Sequence, residues 1–253
     1  MNTLSAFRRR VAAAGFLACA IVLPNSALLA QQGALDVGDA VPVRLTARDV
    51  SVSNGKAAAA YGALVAMWST QFEQIGMEFA VPRLARYRGA IATRCGAIAP
   101  SNASYCIAAN TIYFDDVFLA AQAKSAGQTL GTDGDMVAVG IIAHEMGHAV
   151  AMQLGHLSRD SYRNESVADC LAGAFARQAE HDGSIEAGDI DEAFFGMAAA
   201  GDPTLRATGD ARFDARSAAH ISARAHGTRE QRMGNFRSGL EQGGGACLVE
   251  LRG

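Results

Sequence analysis

The chain has 253 residues, 50% of them hydrophobic and 19% charged, which is enough for one substantial core or a core with a small appendage. Its formal net charge is −3 and its basic residues do not cluster, so nothing supports nucleic-acid binding. Residues 1–30 read as a secretory signal peptide: Arg8-Arg9-Arg10, an apolar run from Val11 to Leu23, a break at Pro24-Asn25-Ser26, and small residues up to Ala30. The apolar run is too short to span a bilayer, so no membrane span is expected once this segment is removed. Phe16-Leu17-Ala18-Cys19 faintly resembles a lipoprotein cleavage box, but the run continues past Cys19. Without residues 1–30 the chain keeps 19 basic and 25 acidic residues and four cysteines, Cys95, Cys106, Cys170 and Cys247. An even number of cysteines in an exported chain predicts two disulfides, with three connectivities possible. The expected location is periplasmic or secreted.

Residues 31–55 are polar and read as an arm or linker with a turn at Asn54-Gly55. The spacing of Tyr61, Leu64, Val65, Trp68 and Phe72 predicts a helix over Ala57–Ile75. Val81–Ala92 has a strand-like rhythm, Cys95–Cys106 reads as a loop, and Ile112-Tyr113-Phe114 is β-prone. A helix over Val117–Lys124 and a glycine-rich loop over Gly127–Gly134 follow. Helices are then expected over Met136–Met152, from about Arg163 to Glu180, from Gly188-Asp189 to Ala199 with Asp189 as its cap, and over Gly227–Leu240. Residues 202–225 carry no clear pattern. The fold class is α+β, mainly helical, with a few short strands.

The chemistry concentrates in His144-Glu145-Met146-Gly147-His148 and, sixteen residues on, Asn164-Glu165-Ser166-Val167-Ala168-Asp169. On a helix, His144 and His148 share one face a turn apart and can hold one metal ion. Hydrolytic zinc sites take three protein ligands and keep a fourth position open, and Glu165 completes the set. Asp169, four residues beyond Glu165, is placed to accept a hydrogen bond from the non-ligating nitrogen of a zinc histidine. Glu145 lies beside the ligand face, where a carboxylate can take a proton from a water. The helix carrying these groups is strongly apolar (Val137, Val139, Ile141, Ile142, Val150), and unpartnered polar groups there would cost roughly 2–7 kcal/mol each. The acidic pair supplies the partners.

These motifs resemble the bacterial neutral zinc metallopeptidases, whose site is similar to that of thermolysin-like gluzincins. The resemblance runs from about Trp68 to Cys247. It rests on Trp68 with Pro82, Cys95-Gly96, Tyr105-Cys106, Ile112 to Asp115, the two segments above, Asp169 through Gly173, Gly188-Asp189, Gly201-Asp202 and His226-Gly227-Thr228 with Gln231-Arg232. Family members often carry a histidine directly after the second zinc histidine, where this chain has Ala149. The resemblance implies a zincin-like domain over residues 56–253, one Zn2+ on His144, His148 and Glu165, and Glu145 as catalytic carboxylate. It also implies Cys95–Cys106 and Cys170–Cys247 bridges. His226, before the last long helix, is the candidate oxyanion donor. Arg232 is read as a structural ion pair with an acidic residue, and His156, His181 and His220 as surface residues.

The expected function is an exported zinc-dependent endopeptidase-like hydrolase acting on a peptide or protein. Two readings compete with it: a zinc-binding envelope module without catalysis, and a zinc hydrolase of peptidoglycan peptides. A binding module has no need of Glu145.

Overall fold

The computed structural model describes residues 43–202, 208–222 and 226–249. The segment expected to direct export lies outside them. Helix α1 (Ala47–Gln74) starts at a capping box in which the Asp49 N–H donates to the Thr46 hydroxyl and the Thr46 N–H donates to the Asp49 carboxylate. This start is a correction, because α1 reaches nine residues into the expected arm and Asn54-Gly55 lies within it. Gly55 faces solvent, and its cost of roughly 1 kcal/mol is offset by the cap and by a buried face of Ser53, Ala57, Ala60, Leu64, Trp68 and Phe72. Lys124, hydrogen-bonded to Asp49, lowers that carboxyl to about 2 together with Thr46.

The strands are β1 (Arg83–Tyr87), β2 (Ile91–Thr93), β3 (Gly96–Ile98), β4 (Ala103–Cys106) and β5 (Thr111–Asp115). β5 is central in a three-stranded sheet of order β1-β5-β4, parallel to β1 and antiparallel to β4, while β2 and β3 form a separate hairpin. The span between Cys95 and Cys106, expected as a loop, therefore carries two strands. Its Gly, Ala and Ser content gives little strand propensity, and pairing with neighbours decides the outcome. A Cys95–Cys106 disulfide closes this span. β4 is an edge strand.

Helix α2 (Asp116–Leu130) is capped by the Asp115 carboxylate and runs through Gly127, so the expected glycine-rich loop contracts to Gly131–Gly134. Helix α3 (Asp135–Gln153) is apolar on nearly every side and packs against α1, α2, α4 (Ser161–His181) and α5 (Asp189–Ala199). Its cap, Gly134, has no side chain, and the buried Glu192 of α5 accepts from the Gly134 and Met136 N–H groups instead. Asp189 is not the cap of α5. Gly188 holds that position, and the Asp189 carboxylate accepts from the Glu186 N–H. Helices α6 (Ala211–Ser222), α7 (Arg229–Gln242) and α8 (Gly244–Val249) complete the described elements. The mainly helical α+β class holds.

Two helix contacts are made at glycine. A Cβ on Gly147 of α3 would stand 2.9 Å from Ala168 Cα and O on α4. A Cβ on Gly173 of α4 would fall 1.9 Å from Phe236 O, and one on Gly239 of α7 would fall 1.8 Å from Cys170 O. Backbones α3, α4 and α7 thus touch in series, and a Cys170–Cys247 disulfide ties α4 to α8.

Candidate metal centre

Gly147 lies inside the His-Glu-x-x-His segment, and Ala168, which it meets, lies between Glu165 and Asp169. The contact sets both carboxylates opposite the histidines. His144 Nε2 is 3.1 Å from His148 Nε2 and 3.1 Å from Glu165 Oε2, and His148 Nε2 is 3.3 Å from Glu165 Oε1. Donor atoms on a tetrahedral zinc with bonds of about 2.0–2.1 Å stand about 3.3 Å apart. Glu165 Oε2 is buried and makes no hydrogen bond despite its nearness to His144. The donor atoms of the three side chains all lie within 4.8 Å of one another, an arrangement that could hold a metal ion. Two imidazoles and a carboxylate also suit zinc by donor type.

Behind this group, the His144 Nδ1–H donates to Asp169 Oδ1 at 2.8 Å, which leaves Nε2 as the free donor atom. Asp169 is wholly buried and is held by Arg232 of α7 in a two-pronged pair: Nη2 donates to Oδ1 at 2.6 Å and Nε to Oδ2 at 3.0 Å. Arg232 Nη1 donates to Ala200 O at 2.9 Å. Arg232 is thus an ion pair within the protein, with Asp169 as its partner. Burial works against the His144 cation, but the Asp169 and Glu165 carboxylates beside it raise its pKa to about 10 in the metal-free protein. Burial likewise disfavours the two carboxylates, and they are nonetheless lowered, Glu165 by the two histidines and Asp169 chiefly by the Arg232 charge.

Glu145 is buried and faces the other wall. Its Oε2 accepts the Tyr105 N–H of edge strand β4 at 2.7 Å. Tyr87 fixes the entry to that strand, its one hydroxyl proton shared between Ala99 O and Asn102 O, each 2.9 Å away. Burial pushes the Tyr87 phenol up to about 12, with the Asp115 and Glu145 charges adding to it.

A cavity of about 550 Å³ opens over these groups; its lining includes Tyr105, His144, Glu145, His148, Glu165 and Arg232. His226 lines it too, half-exposed, with Nδ1 3.4 Å from Asp202 Oδ1. His156, read as a surface residue, also lines the cavity, whereas His181 is exposed. The His220 side chain lies outside the described residues. The sequence left two groups unread. Asp202 is signalled only by its place after Gly201, and the Tyr105 N–H is a main-chain donor that no side-chain pattern marks. A second carboxylate group, Asp133, Asp135, Asp189 and Glu192, lies at the start of α3 and is engaged with Lys56 and main-chain N–H groups.

An apolar helix bearing two histidines and a carboxylate from the next helix form a group that could hold a metal ion, with an edge strand across the cleft. The chain matches the family described as "putative neutral zinc metallopeptidase" over residues 51–161 and 156–248, and it belongs to that family. It is 31% identical over 229 residues to "Uncharacterized protein YpfJ" of Escherichia coli strain K12, an alignment covering 83% of this chain and 76% of that protein. The YpfJ protein of Escherichia coli O6:H1 matches to the same extent. No solved structure matches the chain.

Proposed function

We propose that this protein is an exported zinc-dependent endopeptidase, with one zinc held by His144, His148 and Glu165. The observation that carries the reading is the convergence of these three side chains beside Glu145 in a single cleft. Bound there, zinc would supply a Lewis acid and bring the pKa of a coordinated water toward ~7. The chain's own groups do the rest. Asp169 fixes the tautomer and orientation of His144, and Arg232 fixes Asp169. Glu145 accepts the proton of the attacking water and passes it to the leaving amine nitrogen. His226, with Asp202 beside it, donates to the oxygen of the scissile carbonyl as negative charge grows there.

A peptide lies along β4, whose outer edge faces the cleft, so extended polypeptide is the natural substrate. Residues 1–30 direct export, and the two disulfides suit an oxidising compartment.

Glu145→Gln tests the reading, because glutamine keeps the size and hydrogen bonding of glutamate but cannot take the proton. Cleavage of a peptide library should fall roughly 10²–10⁴-fold with zinc content unchanged. Equal cleavage by both proteins would remove Glu145 from the mechanism. Zinc binding without cleavage by either would favour a metal-binding module.

A further inference from the structure

The outer edge of β4 is closed by the protein's own side chains. Asn102 O accepts from the Asp115 N–H, and β4 pairs with β5 from Ala103–Phe114 to Cys106–Thr111. Main-chain groups alternate along an antiparallel ladder, so Ser104 and Cys106 face β5 while Ala103 and Tyr105 face the cleft. Both cleft-facing N–H groups are engaged. The Ala103 N–H donates to Asn102 Oδ1 at 2.9 Å, and the Tyr105 N–H donates to Glu145 Oε2 at 2.7 Å. Neither donor is left for another strand to pair with.

The two bonds differ in reach. Asn102 is exposed and bonds its immediate neighbour, so water or an incoming chain can replace it. Glu145 is buried, and its bond joins β4 to α3 across a separation of 40 residues. It is a charge-assisted bond, stronger than a neutral one. It also keeps the carboxylate turned toward β4. An extended peptide adding to this edge needs the Tyr105 N–H for one of its own carbonyls. The N–H serves one of these two acceptors at a time.

We propose that the Tyr105 N–H passes from Glu145 to the substrate. In the free protein it holds the carboxylate, and a chain adding to β4 takes it and lets Glu145 turn to the water. The proposal deepens the peptidase reading above and rests on it for that last step. Tyr105 is then a positioning residue that acts through its main chain. Only a polypeptide extended along β4, with a carbonyl opposite residue 105, releases Glu145.

The first test needs no turnover. In Glu145→Ala the Tyr105 amide should exchange its hydrogen about 10–100-fold faster than in the wild type. The Ser104 and Cys106 amides, which face β5, should exchange at their wild-type rates. The second test compares Tyr105→Pro with Tyr105→Val. Both lose the side chain and its hydroxyl bond to Asn110 Oδ1, but only proline loses the outward N–H. The probe is the fluorescent peptide that binds most tightly to the metal-free wild type in a library. The proline variant should bind it about tenfold more weakly than the valine variant. In the zinc-loaded proteins KM should rise by a similar factor, with kcat kept.

A fall in kcat at unchanged KM would make the N–H a permanent support of Glu145 and overturn the exchange while leaving the peptidase reading intact. An unchanged Tyr105 exchange rate in Glu145→Ala overturns it equally. Weaker binding by the proline variant, with no cleavage by the wild type, upholds the exchange of partners at β4 and overturns the peptidase reading. If circular dichroism shows that Tyr105→Pro fails to fold, peptide binding to Glu145→Ala decides. Its vacated N–H should tighten binding about fivefold over the wild type, and unchanged or weaker binding overturns the proposal.

Discussion

The two walls of the cleft are built in different ways. On the helical wall, α3, α4 and α7 touch backbone to backbone at Gly147, Gly173 and Gly239, and the polar groups between them are locked in a buried chain from His144 through Asp169 to Arg232. The strand wall is a four-residue edge strand, β4, held by β5, by the Cys95–Cys106 bridge and by the Tyr87 hydroxyl. A metal site needs ligands fixed before the ion arrives, whereas a substrate wall needs main-chain groups that can exchange partners. The rigid wall carries the candidate ligands, and the edge strand carries the Tyr105 N–H that meets Glu145. Damage to the first should reach zinc, and damage to the second should reach substrate.

The largest effect is expected from the disulfides. Removing Cys170–Cys247 as a double alanine variant frees a 77-residue separation and should cost about 4–5 kcal/mol in the loop-entropy picture. Removing Cys95–Cys106, which closes a separation of 11, should cost about 3 kcal/mol. Denaturant unfolding of both variants checks the order, and a larger loss from the Cys95–Cys106 variant would contradict the loop-entropy ranking of the two bridges.

Arg232→Met leaves the Asp169 carboxylate buried without its partner and should cost about 3–5 kcal/mol. Zinc affinity should weaken with it. Asp169→Asn leaves the buried Arg232 without its carboxylate, so it should cost a similar amount, and it should lower zinc affinity roughly 10–100-fold, as expected for a group that orients a ligand. Competition with a chelator measures both. Unchanged affinity in both variants would detach the helical wall from the metal site.

Much of the helical wall could be read from the sequence, because a spacing of four residues puts His144 with His148 and Glu165 with Asp169 on single helix faces. The apolar run around Ile142 and Val150 likewise announced a core helix. The strand wall was hidden. Gly96–Ile98 and Ala103–Cys106 hold few β-branched or aromatic residues, and their pairing depends on β5 and the disulfide rather than on local preference. Long-range partners were hidden for the same reason. Nothing local tells that Glu192 caps α3 from 56 residues away, or that Arg232 meets Asp169 across 63. The start of α1 was legible in principle, since Thr46 and Asp49 form a capping box, but the polar surface around Asn54-Gly55 masked it.

The smallest effect sharpens the comparison most, because it touches only the strand wall. Tyr87→Phe removes the hydroxyl that donates to Ala99 O and Asn102 O and leaves the ring in place. Losing this forked hydrogen bond should cost about 0.5–1.5 kcal/mol, with faster amide exchange in residues 99–105. The Tyr87 phenol stands at about 12, above its ordinary value of 10, so the folded state favours the protonated form. Its stabilising contribution is therefore complete below pH 10 and is lost as pH rises from 10 through 12. The phenylalanine variant should lack that alkaline decline. Because Tyr87 touches the strand and not the ligands, zinc affinity should stay at its wild-type value while KM for a peptide rises. If zinc affinity falls instead, the two walls are one cooperative unit, and the division of labour between ligand wall and substrate wall fails.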